Sequence, residues 1–502
     1  MTSFLSRERI VATPGFNRWL VPPAALAIHL CIGQAYAFSV FKLPLTKILG
    51  VTAPAPGDWT QKELAWVFTI AIVFLGLSAA VFGKWLERVG PRRSGVTAAM
   101  CWAGGFLVSA LAVKTHQLWL LYLGYGVLGG CGLGIGYITP VSTLIKWFPD
   151  RRGLATGLAI MGFGGGAMIA SPLSQVLLDH FASATGVGVA QSFVALGVGY
   201  GLFMLGGAFL FRVPAPDWAP AGWTPPTTQH SLVAGGTVLV GDAVKTPQFY
   251  LLWAILFLNV TAGIGILEQA SPMIQEMFPG RVTAAAAAGF VGLLSLFNMA
   301  GRFAWSSLSD RFGRRSTYFA FFTLGPLLYL AIPFAGKLGS IPLFVGSCAL
   351  ILTMYGGGFA TIPAYLADLF GTQNVGAIHG RLLTAWSAAG VAGPVLVNWI
   401  RQAQLDAGLT GTDVYALSMR LMVGLLLGGF VSNLLVSPVA ARFFQPVTGH
   451  AAPACSGGAA GSDAGHPAVG SGSSTLLSWL AVSLPLGWGV WMTFQKALQL
   501  FR

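Results

Sequence analysis

A single arginine, Arg302, stands inside a long apolar stretch of this sequence, where charged side chains are rare. It precedes Asp310 by eight residues, which in a helix places it about 12 Å from that end, at roughly 1.5 Å per residue. An isolated charge at that depth in an apolar environment is costly, so we expect Arg302 to face a cavity and to bind a ligand. Because a guanidinium stays protonated and presents a planar fork of donors, that ligand is expected to carry a carboxylate.

Two further titratable residues in apolar runs, His29 and Glu268, are candidate proton carriers. Packing or hydrogen bonding to a helix is the more common explanation for such groups. Tyr355 and Phe359 are four residues apart and therefore share one helix face. The sequence contains no recognisable nucleophile–base pair, paired catalytic carboxylates or metal-ligand spacing. We therefore predict no enzymatic activity, no metal and no cofactor.

An acid-Arg-x-Gly-x-Arg cluster occurs twice in the sequence. At an offset of 223 residues, GKWLERVGPRR (83–93) lies on SSLSDRFGRRS (306–316). A charge-assisted network at these positions would latch two halves of the molecule in one state and break in another, although basic loops that merely fix topology are the simpler alternative. The repeat predicts a duplicated six-helix unit. The candidate gating residues are Gly83, Glu87, Arg88, Gly90, Asp310, Arg311, Gly313 and Arg314.

Membrane helices are the elements that must position these residues. Of the 502 residues, 55% are hydrophobic and 9% are charged, compared with roughly 25% charged in an average soluble domain. This composition excludes a soluble globular enzyme, a disordered chain and a disulfide scaffold, and alternating β-barrel segments are absent. Runs of about 20 apolar residues can cross a lipid bilayer as helices. The runs lie near residues 19–41, 64–83, 95–113, 118–144, 155–178, 191–211, 248–270, 284–307, 317–335, 341–366, 378–399, 415–437 and 475–494.

The net charge of +13 is distributed over short loops between these runs, which argues against nucleic-acid binding and for orientation by basic loops. With the N-terminus on the cytoplasmic side, 17 Lys and Arg residues fall in cytoplasmic segments and 8 in outer segments. The bias favours a cytoplasmic N-terminus. The domain organisation that we predict has an N-terminal six-helix half (1–212), a central cytoplasmic loop (213–247), a C-terminal six-helix half (248–444), a flexible linker (445–473) and an additional membrane helix (474–502).

Twelve spans in two halves, with the basic motif between spans two and three and again between spans eight and nine, resemble the major facilitator superfamily. Four further segments narrow the resemblance: GQAYAFSVFKLPL (33–45), GLGIGYITPVSTLIKWFPDRRGLATGLAIMGFGGGA (132–167), FNMAGRFAWSSLSDRFGRR (297–315) and YGGGFATIPAYLADLFG (355–371). They resemble segments of the oxalate/formate antiporter family within this superfamily, and the likeness covers roughly residues 15 to 440. The last helix resembles a short single-helix accessory subunit, here fused to the chain, which we expect to pack on the transporter body.

The resemblance implies an all-α, major-facilitator-type bundle in a bacterial-type inner membrane, and it implies that Arg302 binds the substrate carboxylate. The family's oxalate carrier has a lysine in span eleven, and Trp386 stands at that place here. With one fixed cation instead of two, we expect a monocarboxylate such as formate or lactate. Gln34 is a plausible extra donor. The side chains that the resemblance places around the cavity are Tyr36, Tyr137, Phe163, Tyr355, Phe359 and Trp386.

The expected function is therefore secondary active transport of a small organic anion by alternating access and anion exchange. Proton-coupled symport of a monocarboxylate and oxalate/formate exchange are the nearest alternatives. A facilitator for neutral or cationic compounds would be expected to carry a buried acid facing the cavity, and none is clear in the sequence. A non-transporting receptor would be expected to have a large soluble output domain, which the chain does not contain.

Overall fold

The computed structural model describes residues 5–216, 218–223, 236–445 and 472–498. Within these ranges, thirteen helices are long and apolar enough to cross a membrane, in agreement with the predicted number of spans. The helices are α1 (Arg18–Ala37), α2 (Gln61–Val89), α3 (Pro91–Lys114), α4 (Leu118–Trp147), α5 (Arg152–Phe181), α6 (Val189–Leu210), α7 (Pro247–Met277), α8 (Ala284–Phe312), α9 (Arg314–Lys337), α10 (Ile341–Phe370), α11 (Val375–Asp406), α12 (Asp413–Leu435) and α13 (Gly472–Ala497).

The repeated motif forms the same tight turn in each half. Gly90 separates α2 from α3 and Gly313 separates α8 from α9, with φ of 83° and 84°. A side chain is strained at such φ, so glycine allows two long helices to be joined by one residue. Pro91 then begins α3 at a position where its missing N–H costs nothing. The turn fixes the acidic residue of each motif at the end of its helix.

Small residues bring α5 and α8 into close contact between the two halves. A Cβ atom at Gly157 would lie 2.1 Å from Ser306 Oγ, and a Cβ atom at Gly153 would lie 2.0 Å from the Ser306 carbonyl oxygen. On the other side of the bundle, Gly83 of α2 lies so close to α11 that a Cβ atom there would be 2.7 Å from Ala377 Cα. Such contacts let helix backbones approach closely. They set the geometry between the halves at the motif end of the bundle.

Helix α13 lies against α1, α5 and α8. Near its start, Trp479 Nε1 donates to the Trp19 carbonyl oxygen at 3.2 Å. Further along, Gly489 crosses α5, where a Cβ atom would lie 2.9 Å from Ile169 Cγ1. Thr493 contacts the first third of α8 at Gly292. The helix therefore runs from the end of the bundle where α1 begins to the opposite end, where α8 begins.

Candidate substrate site

Arg302 lies in α8, which packs against α5 and α10, and its side chain is completely buried. Its Nε donates to Asn298 Oδ1 at 3.1 Å, and its Nη1 donates to the Ile160 carbonyl oxygen at 3.4 Å. Within the described residues, Nη2 has no hydrogen-bond partner and no carboxylate pairs with the guanidinium. A buried cation with an unused donor is strongly favoured to receive an anion.

Glycines on the neighbouring helices leave room for this guanidinium. A Cβ atom at Gly164 of α5 would lie 2.9 Å from Arg302 Nε, and one at Gly356 of α10 would lie 3.1 Å from Arg302 Cγ. Larger residues at either position would push the arginine from its place. The glycine-rich segments of α5 and α10 therefore position the charge.

Four buried rings surround the arginine, and we call Tyr137, Phe163, Phe359 and Trp386 the aromatic box. The Arg302 Cζ atom lies 5.7 Å from the ring centroid of Phe163 and 5.1 Å from that of Phe359. Trp386 lies 5.4 Å from Phe163 and 4.8 Å from Phe359, and Tyr137 lies 5.6 Å from Phe163. Rings from α4, α5, α10 and α11 thus meet at one point. They exclude water, which strengthens electrostatic interactions at Arg302.

Two of the other predicted binding residues lie beside the box, and one does not. Tyr36 is half-buried with its ring 5.0 Å from Phe163, and buried Tyr355 packs against α7 at Gly263. The hydroxyls of Tyr36, Tyr137 and Tyr355 make no well-formed hydrogen bond to another described group. Gln34 instead points to Tyr125, whose hydroxyl donates to it at 3.0 Å. The structure therefore places Gln34 outside the cluster.

Two histidines flank Tyr137. His29 stacks on its ring at 5.2 Å, and its Nδ1 and Nε2 face the carbonyl oxygens of Ala159 and Tyr137 at 2.5 and 3.1 Å. His379 of α11 lies 5.8 Å from the same ring, is buried, and has no partner for either nitrogen among the described residues. His379 is not among the residues expected from the sequence, although a histidine within an apolar helix is a usable signal. Glu268 lies in α7, and its side chain is outside the described part of the structure.

A cavity of about 530 Å³ extends from the box toward the end of the bundle that holds Lys42. Tyr36 and Trp386 line its inner part, together with Asn298, the hydrogen-bond partner of Arg302, and Gly164. The buried guanidinium is therefore separated from the cavity only by this layer of side chains.

The opposite end of the bundle is closed by the acidic residue of each repeated motif, and we call it the latched end. Asp310 accepts hydrogen bonds from the backbone N–H groups of Gly153 and Leu154, at 2.8 and 2.9 Å. These amides belong to the first turn of α5, where N–H groups lack helical partners and the helix dipole favours negative charge. Arg314 Nη2 binds the same carboxylate at 2.6 Å.

Asp368 of α10 extends this network. It is bound by Arg152 Nη1 of α5 at 2.8 Å and by Arg314 Nε at 3.1 Å. Two arginines from different halves thus share one carboxylate. Neither Asp368 nor Arg152 was recognised from the sequence as part of the gate, because neither belongs to the repeated motif.

A second latch occupies the equivalent position in the other half. Glu87 at the end of α2 accepts from the Gly376 N–H of α11 at 3.2 Å and from the Ser142 hydroxyl at 3.0 Å, and it pairs with Lys146. The offset of 223 residues that relates Glu87 to Asp310 also relates Gly153 to Gly376. The repeat therefore places two carboxylates at two equivalent helix N-termini.

The arginines of the motif do not all take part in these latches. Arg314 is buried and paired, whereas Arg88 and Arg311 are exposed and form no ion pair within the described ranges. An exposed arginine at a helix end fits the alternative role of fixing topology.

The fold and site can now be compared with known proteins. The family model for the Major Facilitator Superfamily matches residues 24–394. The oxalate:formate antiporter of Oxalobacter formigenes is 26% identical over 378 residues, which cover 75% of this chain and 83% of that protein. The apicoplast pyruvate carrier 1 of Toxoplasma gondii is 26% identical over 412 residues, covering 71% and 73% of the two chains.

A human relative and a solved structure complete the comparison. Human monocarboxylate transporter 11 is 29% identical over 246 residues, 46% of this chain and 48% of that protein. The crystal structure of the major facilitator transporter FucP in the outward conformation superposes with a TM-score of 0.59 at 17% identity, covering 83% of this chain and 99% of FucP. That likeness confirms the predicted fold. The chain belongs to the Major Facilitator Superfamily and is a multi-pass membrane transporter, not an enzyme.

Proposed function

We propose that this transporter moves a small organic anion, a monocarboxylate such as formate or lactate, by exchanging one anion for another. The observation that carries the proposal is the unpaired, fully buried guanidinium of Arg302 inside the aromatic box. The oxalate:formate antiporter and the pyruvate carrier among its relatives support the same substrate class.

The choice of a monocarboxylate rests on the charge of the site. Arg302 is the one fixed cation at the box within the described residues, and the wall opposite it is formed by Trp386 and Phe359. A single carboxylate would be neutralised by the arginine while its apolar end contacted the rings. A second carboxylate would be buried against tryptophan without a partner, which is costly. Oxalate/formate exchange is the nearest competing proposal.

The mechanism that we propose is alternating access of the halves 1–212 and 248–444 about this site. Here the latched end is closed and the cavity extends from the other end. Closing both ends around an empty site would bury an uncompensated cation, whereas a bound carboxylate neutralises it. The empty carrier is thus hindered from reorienting, and the loaded carrier is not. This asymmetry favours exchange over net transport.

Proton-coupled symport is a second candidate, favoured by the surroundings of His29. Both of its ring nitrogens face carbonyl oxygens, so both contacts are satisfied as hydrogen bonds only when the ring carries two protons. His29 and Arg302 both lie against the Phe163 ring, so an anion at Arg302 and a proton at His29 would offset each other's charge within one cluster. Anion binding would then promote proton binding.

The basic loops and the bacterial relatives support a place in a bacterial-type inner membrane with the N-terminus in the cytoplasm, and we propose both. The latched end then faces the cytoplasm, and the cavity faces outward. We also propose that the contacts of α13 with α1, α5 and α8 hold in the membrane, so that α13 is a permanent part of the carrier.

Uptake into liposomes containing the purified protein tests the function. Vesicles are loaded with formate, lactate, oxalate or no anion, and the uptake of labelled monocarboxylates and dicarboxylates is followed. We expect monocarboxylate uptake that requires an internal monocarboxylate and is indifferent to a pH gradient. Uphill uptake into anion-free vesicles driven by a pH gradient would overturn obligatory exchange in favour of symport. Preferred uptake of oxalate would overturn the monocarboxylate assignment.

A further inference from the structure

Helix α13 forms part of the cavity wall at the opening, which is the end that holds Lys42. Helix α13 contributes Met492, Thr493 and Lys496 to the lining, and the short helix after α1 (Ser39–Leu45) contributes Lys42. These two lysines are the charged residues of the lining within the described part of the chain, and no described lining residue is acidic. Two cations from distant parts of the sequence therefore share one opening.

The position of Lys496 follows from how α13 is anchored. Thr493 is buried against Gly292 of α8, and residues three apart lie on the same helix face. Lys496 is therefore on the face of α13 that lines the cavity, and it is exposed at the opening. Lys42 follows Tyr36 by six residues and is half-buried at the same opening.

The electrostatic consequence is that every charged side chain along the described route from the opening to Arg302 is positive. The two lysines at the opening and Arg302 behind the inner lining residues give the cavity a positive electrostatic potential, which attracts anions. Low-dielectric walls focus this potential and raise the local anion concentration. The exposed Lys496 and the half-buried Lys42 both stand at the opening, where salt screens their charges and water hydrates them, so they hold an anion weakly. Weak binding suits an entry position, because the anion must leave it to reach Arg302.

We propose that Lys42 and Lys496 form an entry site for the carboxylate substrate, and that α13 is thereby part of the transport pathway. This inference rests on the proposed function. The fused helix is not only a packing element on the outside of the carrier. It supplies one of the two charges that collect the substrate.

The test compares Lys496→Gln and Lys42→Gln with Lys62→Gln, which removes an exposed lysine outside the cavity lining. Initial rates of lactate uptake are measured in intact cells over a range of lactate concentrations, at low and high ionic strength. We expect KM to rise about threefold to tenfold at low ionic strength for the two cavity variants, with an unchanged maximal rate. High salt should abolish the difference, Lys496→Arg should restore the normal KM, and Lys62→Gln should behave as the unmodified protein.

An unchanged KM in Lys496→Gln, with normal abundance and thermal stability, would overturn the entry site. A reduced maximal rate that salt does not affect would also overturn it, by assigning Lys496 a structural role. The same assays on Arg302→Ala separate the two proposals. If Arg302→Ala abolishes uptake while Lys496→Gln leaves KM unchanged, only the entry site fails. If Arg302→Ala transports normally, the proposed substrate site itself fails.

Discussion

At the scale of single residues, the function that we propose depends on Arg302, a cation that forms no ion pair within the described residues. Asn298 and the Ile160 carbonyl oxygen hold the arginine in place without neutralising it. Asp310, the nearest acid along the helix, is occupied by the Gly153 and Leu154 amides and by Arg314. The charge at Arg302 is thus reserved for a ligand.

Replacing this arginine should remove transport without unfolding the protein. Truncating one partner of a buried charge pair costs about 2–5 kcal/mol, so Arg302→Ala should lower uptake at limiting substrate by roughly 30-fold or more. Arg302→Lys should recover only part of the activity, because an ammonium lacks the planar fork. Uptake and substrate-dependent thermal stabilisation measure both effects. Substrate stabilisation of the alanine variant equal to that of the unmodified protein would contradict the assignment.

Trp386 should determine the charge of the substrate. The change Trp386→Lys adds a second cation beside Phe163 and Phe359, where the family's oxalate carrier has its lysine. We expect the ratio of oxalate to lactate uptake to rise at least about tenfold, equivalent to roughly 1.4 kcal/mol. Trp386→Met is the matched control, since it removes the ring without adding charge. An equal shift in both variants would mean that ring volume, not charge, sets the preference.

How much of the site could be predicted differs from residue to residue. Arg302 was identifiable because charge is rare in apolar runs, so one exception is informative. The rotation of a helix about its axis is fixed by packing with its neighbours, so the sequence does not show that Gln34 is directed to Tyr125 or that His379 lies beside Tyr137. Phe163 and Trp386 were placed by the resemblance and by the offset of 223 residues that relates them. A single aromatic residue carries little information, since aromatic residues make up 12% of the chain.

At the scale of helices, the two halves are joined where a carboxylate meets a helix N-terminus. Hydrogen bonds to charged groups contribute about 1.5–3 kcal/mol each. The sequence repeat predicted the two acidic residues and Arg314 but not the backbone amides that bind the carboxylates, because a residue pattern contains no information on backbone partners. Gly153 and Gly376 occupy equivalent positions in the repeat, but only the structure shows that their backbone N–H groups bind Asp310 and Glu87.

Asp310→Asn should weaken the closed state of the latched end. The neutral side chain loses the charge that the first turn of α5 and Arg314 stabilise, so the closed-to-open ratio should fall roughly tenfold, about 1.4 kcal/mol. Labelling of a cysteine that replaces the buried Ser306, which faces Gly157 across the interface, reports opening. Arg311→Gln is the control, because that arginine is exposed and unpaired within the described ranges. Equal labelling of the two variants would argue for a topological role of the motif.

Helix α13 should depend on one glycine for its position. Gly489→Leu would force a side chain into the backbone of α5 near Ile169, whereas nothing lies near a Cβ atom at Gly487. The side chains of Asn17 and Thr475 hydrogen bond at 3.3 Å, so cysteines at these two positions should form a disulfide when α13 is in place. The disulfide yield is measured after cleavage of a protease site inserted in 446–471, because α13 is then held only by its packing. We expect Gly489→Leu to lower the yield of this disulfide several-fold and Gly487→Leu to leave the disulfide yield unchanged. Normal yield with Gly489→Leu would show that α13 is held elsewhere.

At the scale of the whole molecule, we propose an odd number of membrane crossings because of the direction of α13. The helix begins beside Trp19 at the latched end and finishes beside the cavity opening. Positive-inside bias favoured the cytoplasmic N-terminus, but it did not decide the side reached by the last helix, because few charges flank it.

A labelling experiment checks this topology. In a variant without native cysteines, we expect Gln495→Cys to react in intact cells with a membrane-impermeant maleimide. Glu8→Cys should react only after permeabilisation. Both residues are exposed, so accessibility alone does not separate them. The reverse pattern would invert the orientation that we propose, and protection of both would place the last turn of α13 outside the aqueous opening.

The course of α13 also has a practical meaning for anyone handling this protein. A carrier with an even count of crossings returns its chain to the compartment it started from, so fluorescent or affinity fusions at its two ends report on one and the same compartment. In the orientation that we propose, a fusion joined beyond residue 498 would have to be exported. A fluorescent protein that matures only in the cytosol would not fluoresce there, whereas the same protein fused ahead of α1 would.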